Sequence, residues 1–193
     1  MKKSNPLTID EIVQAIRKNL SPDLLSAKWA VVVHNQRQPD PVAGHCAIAT
    51  EALYDMLGGV KAGYTPVVCS YYDDRGTRVF GKAPNKDDQM THWWLKGPCE
   101  NGHRGKGDVI DPTVRQYKKP FPYENGKPTG FMSPNLPFRC ARILIDRVEK
   151  MLGAERLQAF RKSNIKAYQK AGGRAVVSPA SQRRYQELKI KAL

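Results

Sequence analysis

Helix-type spacing of apolar residues at both ends of the chain encloses a central stretch of β-type sequence. In residues 8–20 apolar side chains recur on one helical face, and a Thr-x-x-Glu capping box begins the run at Thr8. Residues 65–111 are instead rich in Val, Tyr and Trp between clusters of Gly, Pro and Asn. Helical spacing returns after residue 140. This order predicts an α+β fold in which N-terminal helices, a helix packed on a small antiparallel sheet and C-terminal helices follow one another.

The same patterns predict the individual elements. Helices are expected at the capping box, at Ser21-Pro22, and over residues 44–59, 141–152 and 154–171. Strands are expected over residues 65–72, 91–96 and 108–111, with 78–80 as a pairing strand. Residues 118–137 contain five prolines and are predicted to form an irregular covering loop. A last basic helix is expected after a break at 171–179. We predict one α+β domain over residues 1–160 and a basic helical extension over 161–193.

Charge is the most uneven property of the chain. It carries 32 Lys and Arg against 18 Asp and Glu, a net charge of +14, and nine of the basic residues lie in 161–193 beside Glu187 as the one acidic residue. Such a field raises encounter rates with phosphate-bearing or acidic partners. A solvated basic tail is the simpler interpretation, and contact with nucleic acid or an acidic protein is the alternative. The candidate nucleic-acid contacts are Arg161, Lys162, Lys166, Lys170, Arg183 and Arg184.

Membrane and extracellular classes receive no support from the sequence. The longest apolar runs are far shorter than the roughly 20 residues that cross a bilayer, and polar residues and a proline follow the basic first residues where a signal peptide needs an apolar stretch. The four cysteines show no paired spacing typical of a disulfide framework. We therefore expect a cytoplasmic protein with no membrane partner.

Three residues combine in a pattern typical of nucleophilic catalysis. Cys46 begins the predicted helix after Gly44, where the helix dipole is expected to lower the pKa of the thiol. His92 opens an aromatic strand and Asp111 ends the next strand, so their side chains are expected to lie next to each other. An imidazole can take the thiol proton, and a carboxylate on its far nitrogen orients it. The pattern predicts a Cys46, His92, Asp111 catalytic triad, for which no cofactor and no metal is required.

Each of these residues also has an ordinary structural explanation. A cysteine in an apolar helix is commonly a small buried residue, and an aspartate before proline commonly stabilises a turn. His45 is a rival base, although its position next to Cys46 in the sequence directs it elsewhere. The residues expected to line a substrate site are Gln116, Trp93, Trp94 and His45. The backbone amide of Cys46 is a candidate oxyanion donor.

A family resemblance rests on a set of short motifs: Gly44-His45-Cys46, Thr50-Glu51-Ala52-Leu53-Tyr54, Leu57-Gly58-Gly59, His92-Trp93-Trp94-Leu95, Ile110-Asp111-Pro112-Thr113, Gln116-Tyr117 and Gly130-Phe131-Met132. In these motifs the chain resembles a group of small phage and bacterial proteins that is similar to the YunG-like proteins and, more distantly, to the transglutaminase-like and papain-like cysteine superfamily. The resemblance covers about residues 40–150. It implies a fold with Cys on a helix, His on the next strand and Asp on the one after, and it implies a thiol mechanism. A phage-encoded member would act in the host cytoplasm.

Two functional hypotheses follow. In the first, the protein is a cysteine-dependent acyl-transfer or amide-hydrolysing enzyme, whose substrate is a protein, a peptide or a small molecule and whose acyl acceptor is water or an amine. In the second, it is a catalytically silent module that contacts nucleic acid or an acidic partner through its basic C-terminus.

Overall fold

A computed structural model describes residues 6–27, 30–31, 41–69, 91–116, 121, 123–131 and 136–174 of the chain. Its helices are α1 (Ile9–Asn19), α2 (Cys46–Leu57), α3 (Arg139–Leu152) and α4 (Ala154–Lys170). Its strands are β1 (Thr65–Cys69), β2 (His92–Lys96), β3 (Val109–Ile110) and β4 (Lys127–Pro128), joined in the order β3-β2-β1-β4. All three strand pairings are antiparallel, which confirms the predicted α+β class. Among the described helices, none combines the length and the apolar character needed to cross a membrane.

The first helix begins at the predicted capping box. Thr8 Oγ1 accepts a hydrogen bond from the Glu11 N–H at 3.2 Å, and the Glu11 carboxylate accepts one from the Thr8 N–H at 2.8 Å. Two amides of the first turn are thereby satisfied. Ile12 and Ile16 on the apolar face are fully buried, so α1 packs against α2 and α3.

Helix α2 lies at the centre of the larger apolar core. Gly44 (φ 76°) and Gly58 (φ 98°) adopt positive φ at either end, a conformation in which a Cβ is strained. Between them Ala52, Leu53 and Leu57 are fully buried. The helix contacts α1, α3 and strand β2. Its N-terminus, and with it Cys46, is therefore fixed against the strand that begins with His92.

The sheet is covered on both faces. Successive side chains of a strand point to opposite faces, so Leu95 joins the core formed with the helices while Trp94 points away from it. Trp94 belongs to a second apolar cluster, whose other members are Val67, Cys69, Phe121 and Tyr123. The predicted covering loop is thus the segment that closes this second face.

Several predicted elements differ in extent from those in the structure. Residues 118–137, expected to be irregular, contain β4 and a 3₁₀ turn at Tyr123–Asn125. Lys127 and Pro128 pair with Val68 and Val67 through backbone register, which no apolar pattern in the sequence marks. The predicted strand at 78–80 and the last basic helix lie outside the described residues.

Helix α4 crosses the predicted domain boundary. It runs unbroken from Ala154 to Lys170, and a division between residues 160 and 161 cuts through it. Beyond that point Tyr168 is buried against Gly63, and Ile165 contacts Gly58. The described part of the predicted extension, up to residue 174, is therefore packed on the α+β domain.

Glu51 connects α2 to the start of α3 and gives the fold a pH-dependent element. Its carboxylate accepts a hydrogen bond from the Phe138 N–H at 3.3 Å, and Phe138 is the N-cap of α3. Burial is the main cause of a rise in the pKa of this carboxyl from 4.5 to about 7; the hydrogen bond from Phe138 opposes the rise, and nearby Asp55 contributes to it. Between these two pH values the folded chain binds the proton more tightly than the unfolded chain, so the free energy of unfolding falls as pH rises from about 4.5 to about 7.

We expect Glu51→Gln to remove this dependence. The amide oxygen still accepts from Phe138, but it carries no charge at pH 8. Relative to the wild type, the free energy of unfolding of the variant should therefore be about 1–2 kcal/mol higher at pH 8 than at pH 4. The difference is smaller than the full pKa shift implies, because solvent screens part of the charge at the edge of the core. Urea unfolding at both pH values measures the difference, with the exposed Glu155→Gln as control. Parallel pH dependences of wild type and Glu51→Gln would contradict the prediction.

Candidate active site

Strands β2 and β3 bring His92 and Asp111 together. Leu95 of β2 lies opposite Ile110 of β3, and Asp111 is the next residue along the chain. His92 Nε2 lies 2.6 Å from Asp111 Oδ2, with the two side chains only 1% and 3% exposed. The expectation that these two residues lie side by side is confirmed.

The Asp111 carboxylate is held by donors on both oxygens. Oδ1 accepts from the Thr113 N–H at 2.8 Å and from the Thr113 hydroxyl at 3.2 Å. Oδ2 accepts from the Tyr123 hydroxyl at 2.8 Å, in addition to His92. An ionised carboxylate can only accept hydrogen bonds, so these donors stabilise it as an anion and fix its orientation. Burial of Tyr123 and, after it, the nearby Asp111 carboxylate raise the pKa of the Tyr123 hydroxyl, which keeps this hydroxyl a donor.

The backbone around Asp111 is anchored by the first helix. Arg17 of α1 donates from Nε to the Pro112 carbonyl oxygen at 2.8 Å and from a terminal nitrogen to the Asp111 carbonyl oxygen at 3.4 Å. A guanidinium presents donors in a rigid fork, so it holds two consecutive carbonyl groups in one orientation. Arg17 and Tyr123 were not predicted from the sequence. Arg17 lies far from Asp111 along the chain, and Tyr123 lies in a segment without periodicity.

Cys46 is the first residue of α2 and lies along strand β2. Its thiol donates to the Thr91 carbonyl oxygen at 3.4 Å. One helical turn later, the Thr50 hydroxyl donates to the Trp93 carbonyl oxygen at 3.0 Å. In the described part of the chain β3 pairs with Leu95 and Lys96, and side chains of α2 bond to the carbonyl groups of Thr91 and Trp93 at the start of β2. The thiol is thus held at the residue that precedes His92.

The pKa of the Cys46 thiol differs in direction from the expectation based on its helix position. Burial raises this pKa from 9.0 to about 11, and the Asp111 carboxylate adds to the rise. Backbone N–H groups of Trp93, Ala47 and Cys46 itself oppose it. The favourable effect of the helix N-terminus is therefore present but smaller than the cost of burying a thiolate. In the free protein the sulfur is a neutral thiol.

Aromatic rings enclose the imidazole. The His92 ring lies 4.6 Å from the Phe121 ring and 5.8 Å from the Trp94 ring, centroid to centroid. Trp93 is half-buried and stacks on Phe131 at 5.4 Å. Trp93 is thus partly accessible, whereas the rings around His92 help to bury the imidazole and its carboxylate.

The four residues expected to line a substrate site have different environments. Trp94 is fully buried, and His45 is 2% exposed with Nδ1 at 2.9 Å from the Ala43 carbonyl oxygen and Nε2 at 3.0 Å from the Ser21 carbonyl oxygen. Both therefore support the site from within the fold and present no surface to a substrate. Trp93 is partly accessible. The Gln116 amide nitrogen lies 3.2 Å from His92 Nδ1, which places Gln116 at the nitrogen that faces away from Asp111.

The predicted nucleic-acid contacts within α4 have two different environments. Arg161 is paired with Asp55, with nitrogen to oxygen distances of 3.2 and 3.3 Å. Lys162, Lys166 and Lys170 are exposed and recur every fourth residue, so they form one face of α4 that we call the lysine stripe. Arg183 and Arg184 lie outside the described residues.

Neither metal ligation nor known relatives give further information about the site. Within the described ranges, no three His, Cys, Asp or Glu side chains converge as the ligands of a metal do. Comparisons with protein-family models, with curated proteins and with solved structures found no match. What the site can do chemically follows from its own atoms.

Proposed function

We propose that the protein is a cysteine-dependent enzyme that transfers or hydrolyses acyl groups, with Cys46 as nucleophile, His92 as base and acid, and Asp111 as the residue that orients His92. The observation that carries the proposal is the convergence of three separate elements: the first residue of α2 bonds to the residue before His92, and His92 bonds to the residue after β3 at 2.6 Å. We also infer a fold of the transglutaminase-like or papain-like type, in which these elements follow in the same order.

The first step forms a thioester. As Sγ of Cys46 attacks the carbonyl carbon of the acyl donor, the thiol proton passes to His92 Nδ1, and the imidazolium is stabilised by Asp111 through the Nε2–H. The raised pKa of the thiol makes this a general-base step, because little thiolate is present beforehand. The carbon to sulfur bond forms, the bond to the leaving group breaks, and His92 returns the proton to that group.

Backbone amides next to the sulfur are suited to the charge that develops during attack. The backbone N–H groups of Trp93, Ala47 and Cys46 oppose the rise in the thiol pKa, so they favour negative charge at the sulfur. A carbonyl oxygen that approaches with its carbon at Sγ gains negative charge in the same place. Preorganised donors of this kind are the usual source of oxyanion stabilisation.

The second step releases the acyl group. Water gives hydrolysis and an amine gives transfer; in either case His92 takes a proton from the acceptor, the acceptor attacks the thioester, and the thiol is restored with the same proton. Trp93, which follows His92 in β2, is half-buried and stacks on Phe131, so its ring is available to contact an apolar part of the acyl donor.

The test uses p-nitrophenyl acetate, an activated ester that releases a coloured product when a thiol is acylated. We expect wild-type protein to release p-nitrophenolate with a burst, Cys46→Ala to lack the burst, and His92→Ala to slow it about 10²- to 10⁴-fold. Cys99→Ser is the matched control, since Cys99 is also a half-buried free thiol. Undiminished release by Cys46→Ala would sink the proposal.

The lysine stripe favours nucleic acid as a partner of the same protein. Three exposed lysines on one face of α4 present three positive charges close together, and each phosphate that such charges neutralise releases its counterions. A truncation at residue 161 is unsuitable as a test, since it removes the buried Tyr168. We expect charge reversal of all three lysines to glutamate to weaken binding of a duplex DNA probe and to reduce the slope of log affinity against log salt by about 2.7.

The control for this measurement is a triple charge reversal at other exposed lysines of helices and turns, namely Lys18, Lys61 and Lys150. It changes the net charge equally but leaves the stripe intact. Equal loss of affinity in both triple variants would show that net charge alone is responsible and that α4 is not an interface.

A further inference from the structure

Gln116 contributes a contact that the proposed reaction does not yet use. It lies in the short 3₁₀ helix Val114–Gln116, directly after the turn that holds Asp111. Its amide nitrogen is 3.2 Å from His92 Nδ1 and 3.3 Å from Thr113 Oγ1. A carboxamide nitrogen has two hydrogens, so both contacts can be made at once.

The direction of each hydrogen bond around this group follows from the Asp111 carboxylate. The carboxylate only accepts, so the single hydroxyl hydrogen of Thr113 is donated to Asp111 Oδ1. Thr113 Oγ1 must then accept from its other neighbour, which identifies the Gln116 atom as the amide nitrogen. The second amide hydrogen points at His92 Nδ1.

We propose that Gln116 is a positioning residue that holds the lone pair of the His92 ring on Nδ1. A donor at Nδ1 requires a lone pair there, and the carboxylate at Nε2 requires the proton on that nitrogen. Asp111 therefore determines both ring nitrogens, one directly and the other through Thr113 and Gln116. The catalytic importance of Gln116 rests on the proposed function, because Nδ1 of His92 is the atom that takes the thiol proton in the proposed reaction.

The same contact predicts how Gln116 behaves during the reaction. Once Nδ1 has accepted the thiol proton it no longer accepts a hydrogen bond, so the amide must turn away at that step. Removal of the Gln116 amide therefore leaves His92 Nδ1 free to accept the thiol proton. Replacement of the amide by a carboxylate has the opposite effect, because a carboxylate accepts from Nδ1–H and holds a proton where the lone pair is needed.

The tautomer is measured directly by long-range ¹H–¹⁵N NMR of the His92 ring in the full-length protein at pH 7. We expect an unprotonated Nδ1 and a protonated Nε2 in the wild type, and two protonated nitrogens in Gln116→Glu. This readout does not depend on enzymatic activity. A protonated Nδ1 in the wild type, or an unchanged ring in Gln116→Glu, would overturn the proposal.

Kinetics with p-nitrophenyl acetate gives the second readout. Gln116→Glu should slow acylation of Cys46 by at least about 100-fold, whereas Gln116→Ala should change it less than about 10-fold. A residue that only maintains local structure predicts the reverse order, since alanine loses both hydrogen bonds and glutamate keeps the shape of glutamine. Val114→Ala, in the same 3₁₀ helix and exposed, is the control for folding.

The two proposals fail in different ways. If His92→Ala leaves acylation unchanged, the proposed function fails, and the NMR result still decides the role of Gln116. If His92→Ala slows acylation but Gln116→Ala is slowed as much as Gln116→Glu, the proposed function stands and the positioning role is excluded.

Discussion

Asp111→Asn is expected to slow acylation of Cys46 about 10⁴-fold, the loss typical of a base that is held in the wrong tautomer. The size of the effect follows from the donors around the carboxylate. The Thr113 N–H, 2.8 Å from Oδ1, belongs to the backbone and cannot turn away. In the variant, the side-chain oxygen must face this N–H.

The amide nitrogen of the new asparagine then faces His92 Nε2. Because that nitrogen donates, His92 Nε2 must accept, and the ring proton moves to Nδ1. The nitrogen that takes the thiol proton is thereby lost, while the shape of the site is kept. Burst kinetics with p-nitrophenyl acetate measure the effect, and the melting temperature shows that the variant is folded.

Thr113→Val is the matched control for this substitution. It keeps the backbone N–H to Asp111 and removes only the hydroxyl, so it should act on the His92 ring indirectly, through Gln116, and cost far less than Asp111→Asn. If Asp111→Asn acylates within about 10-fold of the wild type, Asp111 does not set the tautomer of His92.

Trp94→Ala is expected to lower the free energy of unfolding by about 3–5 kcal/mol, the cost of a large cavity in a packed core. Trp94 is fully buried in the cluster that closes the second face of the sheet. Gly126 lies so close to its ring that a Cβ there would overlap Trp94 and Val67. For a chain of this size the melting temperature should fall by roughly 6–20 °C.

Two other substitutions separate the packing contribution of Trp94 from hydrogen bonding and from the effect of removing any tryptophan. The Trp94 indole nitrogen is buried and has no hydrogen-bond partner among the described residues, so Trp94→Phe forfeits volume but no hydrogen bond and should cost less than half as much. Trp93→Ala, at a half-buried position, should also cost less. Urea unfolding ranks the three variants, and a Trp94→Ala protein as stable as Trp93→Ala would contradict the packing described for this face.

Local sequence patterns predicted much of the fold. The capping box at Thr8 and the apolar face behind it define α1, and Gly44 and Gly58 bracket α2 because only glycine adopts their positive φ at low cost. By contrast, β4 forms through backbone pairing with β1, so its residues need no apolar alternation and leave no pattern to detect.

The candidate site was predictable where it depends on neighbouring strands, as for His92 and Asp111. Tyr123 and Arg17 reach Asp111 from a proline-rich loop and from the first helix, and such long-range contacts have no local signature. The thiol pKa was predicted in the wrong direction, since a sequence shows the helix end that lowers it but not the burial that raises it.

The central claim is that Cys46 is a nucleophile activated by His92, and the most direct measurement is the location of the acyl group after reaction with p-nitrophenyl acetate. Rapid acid quench followed by mass spectrometry of proteolytic peptides assigns acetyl groups to individual cysteines. We predict that the acetyl group lies on Cys46 in the wild type, is absent from it in His92→Ala, and is released by hydroxylamine. Equal labelling of Cys46, Cys69, Cys99 and Cys140, or labelling of Cys46 that is unchanged in His92→Ala, would contradict the account.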